Sequence, residues 1–339
     1  MNRLKNIDNA INILLSDAEA DWAIPDTLPL KQRLMRALMN VRLPIKPSQE
    51  LIDAQNKELV RQREEKGIVE IAEEGIQLWK GDITRLKVGA IVNAANSQML
   101  GCFIPLHSCI DNAIHSAAGI QLRCACNEMM QAQGHKEPTG QAKITPGFNL
   151  PARYVIHTVG PIIPNGIPTK EQEEQLASCY RSCIQIAEEH GLKSIAFCCI
   201  STGVFNFPQE LAAKIAIKTV KDYPRQHIKT VVFNVFKDDD YAIYKQRIEE
   251  VRYLIDEADY ILIGAGAGLS AAAGLDYSGK EFEKEFQPWI ERYGFSDLYT
   301  SSFYPFKTEE ERWAYWAKHL VLTFQTTRNG IIPHFVESH

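Results

Sequence analysis

The sequence predicts an α/β fold with a mostly parallel central sheet. From about Ile68 onward, short apolar runs alternate with helix-forming segments, the pattern of repeated strand-helix crossovers. Polar and glycine-bearing loops directly follow those runs, where ligands gather in such sheets. A helically periodic stretch precedes them and a second strand-glycine-helix start follows. The 339 residues suit more than one domain.

Up to about Gly67, apolar residues three and four apart in INILL and LKQRLMRALMNV predict helices, punctuated by Pro25, Pro29, Pro44 and Pro47. Residues 1–67 thus form a helical N-terminal extension. The runs IQLWKG, AIVNAAN, YVIHTVG, SIAFCCIS and TVVFNVF are the predicted strands of an α/β domain over 68–250. Near Arg252, DEADYILIGAGAGLSAAAGL reads as buried strand, glycine turn and helix, so 251–339 is a separate, incomplete Rossmann-like segment.

Composition excludes some function classes. A net charge of −5 gives no electrostatic reason to expect nucleic acid. No apolar run is long enough to span a membrane and no secretory signal opens the chain, so the cytoplasm is the expected location. The eight cysteines are then free thiols or metal ligands. Cys179, Cys183, Cys198 and Cys199 lie in apolar or helical settings and read as core.

The chemistry concentrates in two loops. In GDITRLKVGAIVNAANS, Asp82 can accept from an adenine amine, and Asn93 and Asn96 can meet ribose hydroxyls. Taken singly, Asp82 and Asn96 are equally residues that cap turns. Next, Cys102, His107 and Cys109 form a C-x4-H-x-C array just before a helix. Two thiols and an imidazole match the three-ligand count of catalytic zinc, but the spacing also suits a structural thiol pair. After a buried strand, the turn Ser201, Thr202, Gly203, Val204, Phe205 and Asn206 offers backbone N–H groups to a diphosphate. Phe236, at a strand end, is either an adenine-stacking ring or core, and His157 reads as a satisfied strand residue.

Together GDIT, AIVNAANS, CIDNAIHSAAG, KIT-x-GFNLP, YVIHTVGP and CISTGVFNFP, in order between about Leu28 and Tyr244, resemble the macrodomain family, whose members bind ADP-ribose. The cysteine-histidine array and the helical extension resemble its zinc-containing, bacterial-type protein-ADP-ribose hydrolases. The resemblance implies a macrodomain-type three-layer α/β/α fold. It places adenine near Asp82 and Ile83, turns Asn93 and Asn96 toward the distal ribose, and assigns zinc to Cys102, His107 and Cys109. It makes Asp111, with Asn96, the catalytic pair, and a mono-ADP-ribosylated protein the substrate. The alternative is a non-catalytic ADP-ribose reader, which needs no metal. Many macrodomains carry glycine where Asn206 stands, which bears on affinity.

Gly264, Gly266, Gly268, Ser270, Asp276 and Tyr277, with FYPF and WAYWAKH, resemble the opening of a sirtuin that transfers ADP-ribose to proteins. The rest of a sirtuin's catalytic set is expected beyond His339. A truncated fragment without transferase activity, and a sirtuin-type transferase in the same pathway, are the corresponding expectations.

Overall fold

A computed structural model describes residues 3–256, 280–301 and 304–327. The chain divides into two compact units, at Asp256 and Glu257.

The first unit opens with α1 (Arg3–Asp17), α2 (Leu28–Val41) and α3 (Gln49–Lys66). Proline stands in the first turn of α2, where its missing N–H costs nothing. Ser48 caps α3 by accepting from the Leu51 N–H at 3.2 Å. Their apolar faces close on one another through Ile7, Ile11, Leu14, Met35, Leu38, Leu51 and Leu59, and Ile120 from the α/β region joins that cluster. The extension is therefore built into the same unit rather than laid over it.

An ion pair on the buried carboxylate of Glu58 pins this layer. Arg3 forks onto Glu58 at 2.9 and 3.0 Å, and Gln32 and Gln62 also donate to that carboxylate. Burial alone would raise Glu58, but these hydrogen bonds outweigh it and hold the carboxyl below its usual range. Arg3→Met is expected to destabilise the protein by about 3 kcal/mol, because a charge is left buried without its counterion. The pH sign follows from the lowered folded-state pKa: the pair's contribution is full above the ordinary Glu value and is lost as pH falls through the depressed one. Chemical unfolding at pH 7 and at pH 3 checks this, and the gap between wild type and variant should narrow in acid.

The sheet is six-stranded. Its strands are β1 (Gly75–Lys80), β2 (Ala90–Ala94), β3 (Ala142–Pro146), β4 (Tyr154–Thr158), β5 (Ser194–Phe197) and β6 (Thr230–Val235). Their order is β1-β6-β5-β2-β4-β3, parallel throughout except for β3 against β4. Residues of β2, β5 and β6 are nearly all buried, so these strands need helices on both faces. The cover comes from α4 (Ile110–Ala118), α5 (Ile120–Gln133), α6 (Lys170–Glu189), α7 (Gln209–Asp222) and α8 (Asp238–Asp256). The predicted mostly parallel α/β fold is thus present, with one addition. Strand β3 is short, half-exposed and ends in Pro146, features of an edge strand that leave little apolar signal. Because β1, β6, β5, β2 and β4 run parallel, the loops after them gather on one side of the sheet.

The second unit, described over 280–301 and 304–327, holds α9 (Lys280–Tyr293), α10 (Leu298–Ser301) and α11 (Glu309–Thr327). Phe282, Phe286, Phe295, Leu298 and Tyr315 form its core, and the Tyr315 hydroxyl donates to the Leu298 carbonyl at 3.2 Å. The glycine turn with Gly264, Gly266, Gly268, Ser270, Asp276 and Tyr277 lies outside the described residues. Among the described residues no helix is long and apolar enough to cross a membrane.

Candidate active site

The gathered loops and the extension enclose a cleft of about 1500 Å³, whose lining includes Arg33 and Arg36 of α2 and Lys66 of α3. One wall is the turn after β5. Ser201 and Asn206 take left-handed φ values of 65° and 57°, and Asn is among the few residues that tolerate this well. Asn206 also donates to the Ile163 carbonyl at 3.3 Å, so it serves without glycine. The N–H groups of Gly203, Val204 and Phe205 carry no hydrogen bond among the described residues, which leaves them for an anion. Ser201 itself is buried against Gly160, where a Cβ would come within 2.0 Å of its Oγ.

Phe236 is 74% exposed on the cleft wall. It is not core, and its face is free for a planar ring. Asp82 caps the 3-10 turn Ile83–Arg85: its Oδ1 accepts from the Thr84 N–H at 3.0 Å and hydroxyl at 2.6 Å. The other oxygen meets Lys66 Nζ at 3.2 Å. Asp82 thus caps the turn and also lines the cleft. Burial would raise its carboxyl, but Thr84 and Lys66 hold it below its ordinary value. Ile83 is buried at its side.

The two asparagines divide differently from the sequence pattern. Asn93 is fully buried in β2 and does not line the cleft; its Nδ2 donates to Asp111 at 2.8 Å and lies 3.1 Å from His157 Nδ1. Asn96 lines the cleft, but its Oδ1 accepts from the N–H groups of Gln98 and Met99, and its Nδ2 donates to the Gly101 carbonyl at 3.2 Å. It shapes the loop into Cys102 and keeps one amide hydrogen to spare.

That loop carries the triad. Cys102, His107 and Cys109 are half-buried, with their ligand atoms within 4.8 Å of one another. Cys102 Sγ stands 3.6 Å from His107 Nδ1. A tetrahedral site with bonds of about 2.3 Å to sulfur and about 2.0 Å to nitrogen has an edge of about 3.5 Å. Donor chemistry and spacing therefore both fit zinc. Cys109 is also the N-cap of α4, accepting from the Asn112 N–H at 3.4 Å. Burial, then the adjacent Cys102 and Asp111, push its thiol up to about 11. Asp111, in the first turn of α4, opens onto the same cleft though only 6% exposed. Burial pushes its carboxyl up to about 6, against the Asn93 bond and the Arg123 charge.

A second cluster, His115, Cys126 and His157, has the same compactness but not the same capacity. Asn93 must turn its amide N–H groups toward the Asp111 carboxylate, so its second hydrogen points at His157 Nδ1. The His157 proton then sits on Nε2, 3.0 Å from Thr145 Oγ1, and neither ring nitrogen retains a lone pair for a metal. His157 is the satisfied strand residue its sequence setting suggested.

Sequence reasoning missed three residues. Arg36 donates to the His107 carbonyl at 3.2 Å and to Asn112 Oδ1 at 2.8 Å. Asn40 accepts from the Leu106 N–H at 3.0 Å. Buried Arg123 donates to the carbonyls of Leu100, Cys102, Met39, Asn40 and Arg42, stitching the end of α2 to the triad loop. Asn40 interrupting an apolar helix face was the one available signal. Partners lying 21 to 84 residues away leave no mark in local pattern.

A model of the Macro domain matches residues 92–216. A protein named "Protein-ADP-ribose hydrolase" from Treponema medium is 50% identical over 234 residues, covering 66% of this chain and 89% of its own. One of the same name from Staphylococcus aureus (strain MSSA476) is 46% identical over 253 residues, covering 73% and 91%. A "Probable bifunctional ADP-ribose hydrolase/ADP-ribosyltransferase" from Fusarium oxysporum f. sp. cubense is 42% identical over 276 residues, covering 72% of this chain and 46% of its own.

Proposed function

The chain belongs to the macrodomain family, among its protein-ADP-ribose hydrolases, and on that premise we propose that it removes mono-ADP-ribose from proteins with zinc held by Cys102, His107 and Cys109. It is an enzyme that releases ADP-ribose from modified proteins. The zinc part rests on one observation: the triad and Asp111 line the same cleft as the unbonded N–H groups of Gly203, Val204 and Phe205. A ligand with its diphosphate on that turn presents its other end to the triad.

In this reading the diphosphate is held by neutral backbone dipoles, which suits a chain of net charge −5. Adenine stacks on Phe236 and its amine reaches Asp82 Oδ2 in competition with Lys66. Asp111, fixed by the Asn93 amide, orients a water toward the scissile bond, and the spare amide hydrogen of Asn96 serves the distal ribose. Zinc, when bound, supplies Lewis acidity to a ribose or linkage oxygen and eases deprotonation of a coordinated water. The enzyme that writes the modification is, in the same proposal, a sirtuin-type transferase. It draws support from the LIGAGAGLSAAAG motif and from the fungal relative whose name joins both activities.

The test is release of ADP-ribose from a mono-ADP-ribosylated protein by the zinc-loaded chain and by a chelated sample. Metal-dependent release is the expected result. Tight ADP-ribose binding with no release from either sample makes the protein a reader, and undiminished release after chelation removes zinc from the mechanism.

A further inference from the structure

The loop that bears the triad holds unusual backbone conformations. Between β2 and α4 the chain takes left-handed φ values at Met99 (59°), Gly101 (79°) and Leu106 (57°). Glycine accepts this freely, whereas a leucine does so only where its surroundings enforce it. Leu106 immediately precedes His107, so its backbone sets where the imidazole points.

Leu106 is the third residue of a turn closed by the His107 N–H on the Ile104 carbonyl at 3.3 Å, and the N-terminal extension braces that turn from outside. Asn40 is 1% exposed, and its Oδ1 accepts from the Leu106 N–H at 3.0 Å. It is braced on two sides: its Nδ2 donates to Ser116 Oγ of α4 at 2.9 Å, and its own carbonyl accepts from Arg123 at 2.8 Å. One turn earlier in α2, Arg36 holds the His107 carbonyl and Asn112, and the Asn112 N–H in turn bonds Cys109 Sγ. Asn40 does not line the cleft and lies outside the 92–216 match.

We propose that Asn40 is a positioning residue for the metal centre: by holding Leu106 left-handed it brings His107 into register with Cys102 and Cys109. The proposal rests on the zinc reading of this site. Its consequence is that the helical extension belongs to the metal-binding machinery, through a residue that touches neither metal nor substrate.

The test is zinc affinity, measured by competition with a chromogenic chelator on the full chain, with thermal unfolding of each metal-free variant recorded alongside. Wild type should bind one equivalent. Asn40→Ala should bind about tenfold or more weakly, the range for loss of an outer-shell partner. Leu106→Gly alone should change little, because glycine takes a positive φ without help. The double variant Asn40→Ala/Leu106→Gly should recover most of the lost affinity, which a merely structural role for Asn40 does not predict. Leu106→Ile, whose β-branched side chain resists that backbone, should weaken zinc without touching Asn40, and carries the test if Asn40→Ala does not fold. Unchanged affinity in Asn40→Ala, or equal affinity for Gly and Ile at 106, overturns the proposal. A wild-type chain that binds no zinc overturns the zinc reading itself.

Discussion

On the proposed zinc site, replacing Cys102 by alanine is expected to remove the metal and to slow hydrolysis sharply while leaving the fold in place. Cys102 is only half-buried in its loop and belongs to none of the apolar clusters, so truncation opens little cavity. What it removes is one of three donors whose atoms lie within 4.8 Å of one another. Two remaining ligands hold a zinc ion poorly. Loss of a Lewis acid worth several kcal/mol at the reacting oxygen corresponds to about 10²–10³-fold in turnover. Elemental analysis, unfolding temperature and ADP-ribose release on the same preparation decide the matter. His107→Ala should behave alike. A Cys102→Ala variant that loses its zinc yet keeps wild-type turnover would show the metal to be structural.

Asp111→Ala should separate catalysis from binding. The carboxylate lines the cleft but does not belong to the turn of Ser201 to Asn206 or to the wall around Phe236. Affinity for free ADP-ribose should therefore stay within a few-fold. Turnover should fall by about 10²–10⁴-fold, the usual effect of removing a group that positions or accepts a proton. Some stability is lost as well, on the order of 1–3 kcal/mol, because one hydrogen of the buried Asn93 amide loses its acceptor. Calorimetric titration with ADP-ribose beside single-turnover release distinguishes the two effects. Equal losses in affinity and turnover would reduce Asp111 to a structural partner of Asn93.

The pair Asn93 and Asn96 shows how far a motif can be read. Both stand in AIVNAANS and both look like ribose contacts, yet three residues along a strand and its exit turn one inward and the other into the loop. Asn93 became the amide that fixes Asp111, and Asn96 the side chain that bends the chain toward Cys102. Phe236 moved the other way, from a residue balanced between core and stacking to one that is 74% exposed. For each, alternation along a strand gives two sides of a sheet but not what covers them.

Local pattern alone determined the α/β class, the helical extension, five of the six strands and the crowding of two thiols and an imidazole within eight residues, 102–109. Those features depend on neighbours in the chain, and periodicity and spacing record them directly. The tertiary structure decided the rest: the edge strand β3, the burial of Asn93, the incapacity of the His115, Cys126 and His157 cluster, and the hold of Asn40, Arg36 and Arg123 on the triad loop. Each of these depends on which distant group comes within hydrogen-bonding reach. That is settled when the sheet order and helix packing close the unit, and a one-dimensional pattern contains no distances between segments.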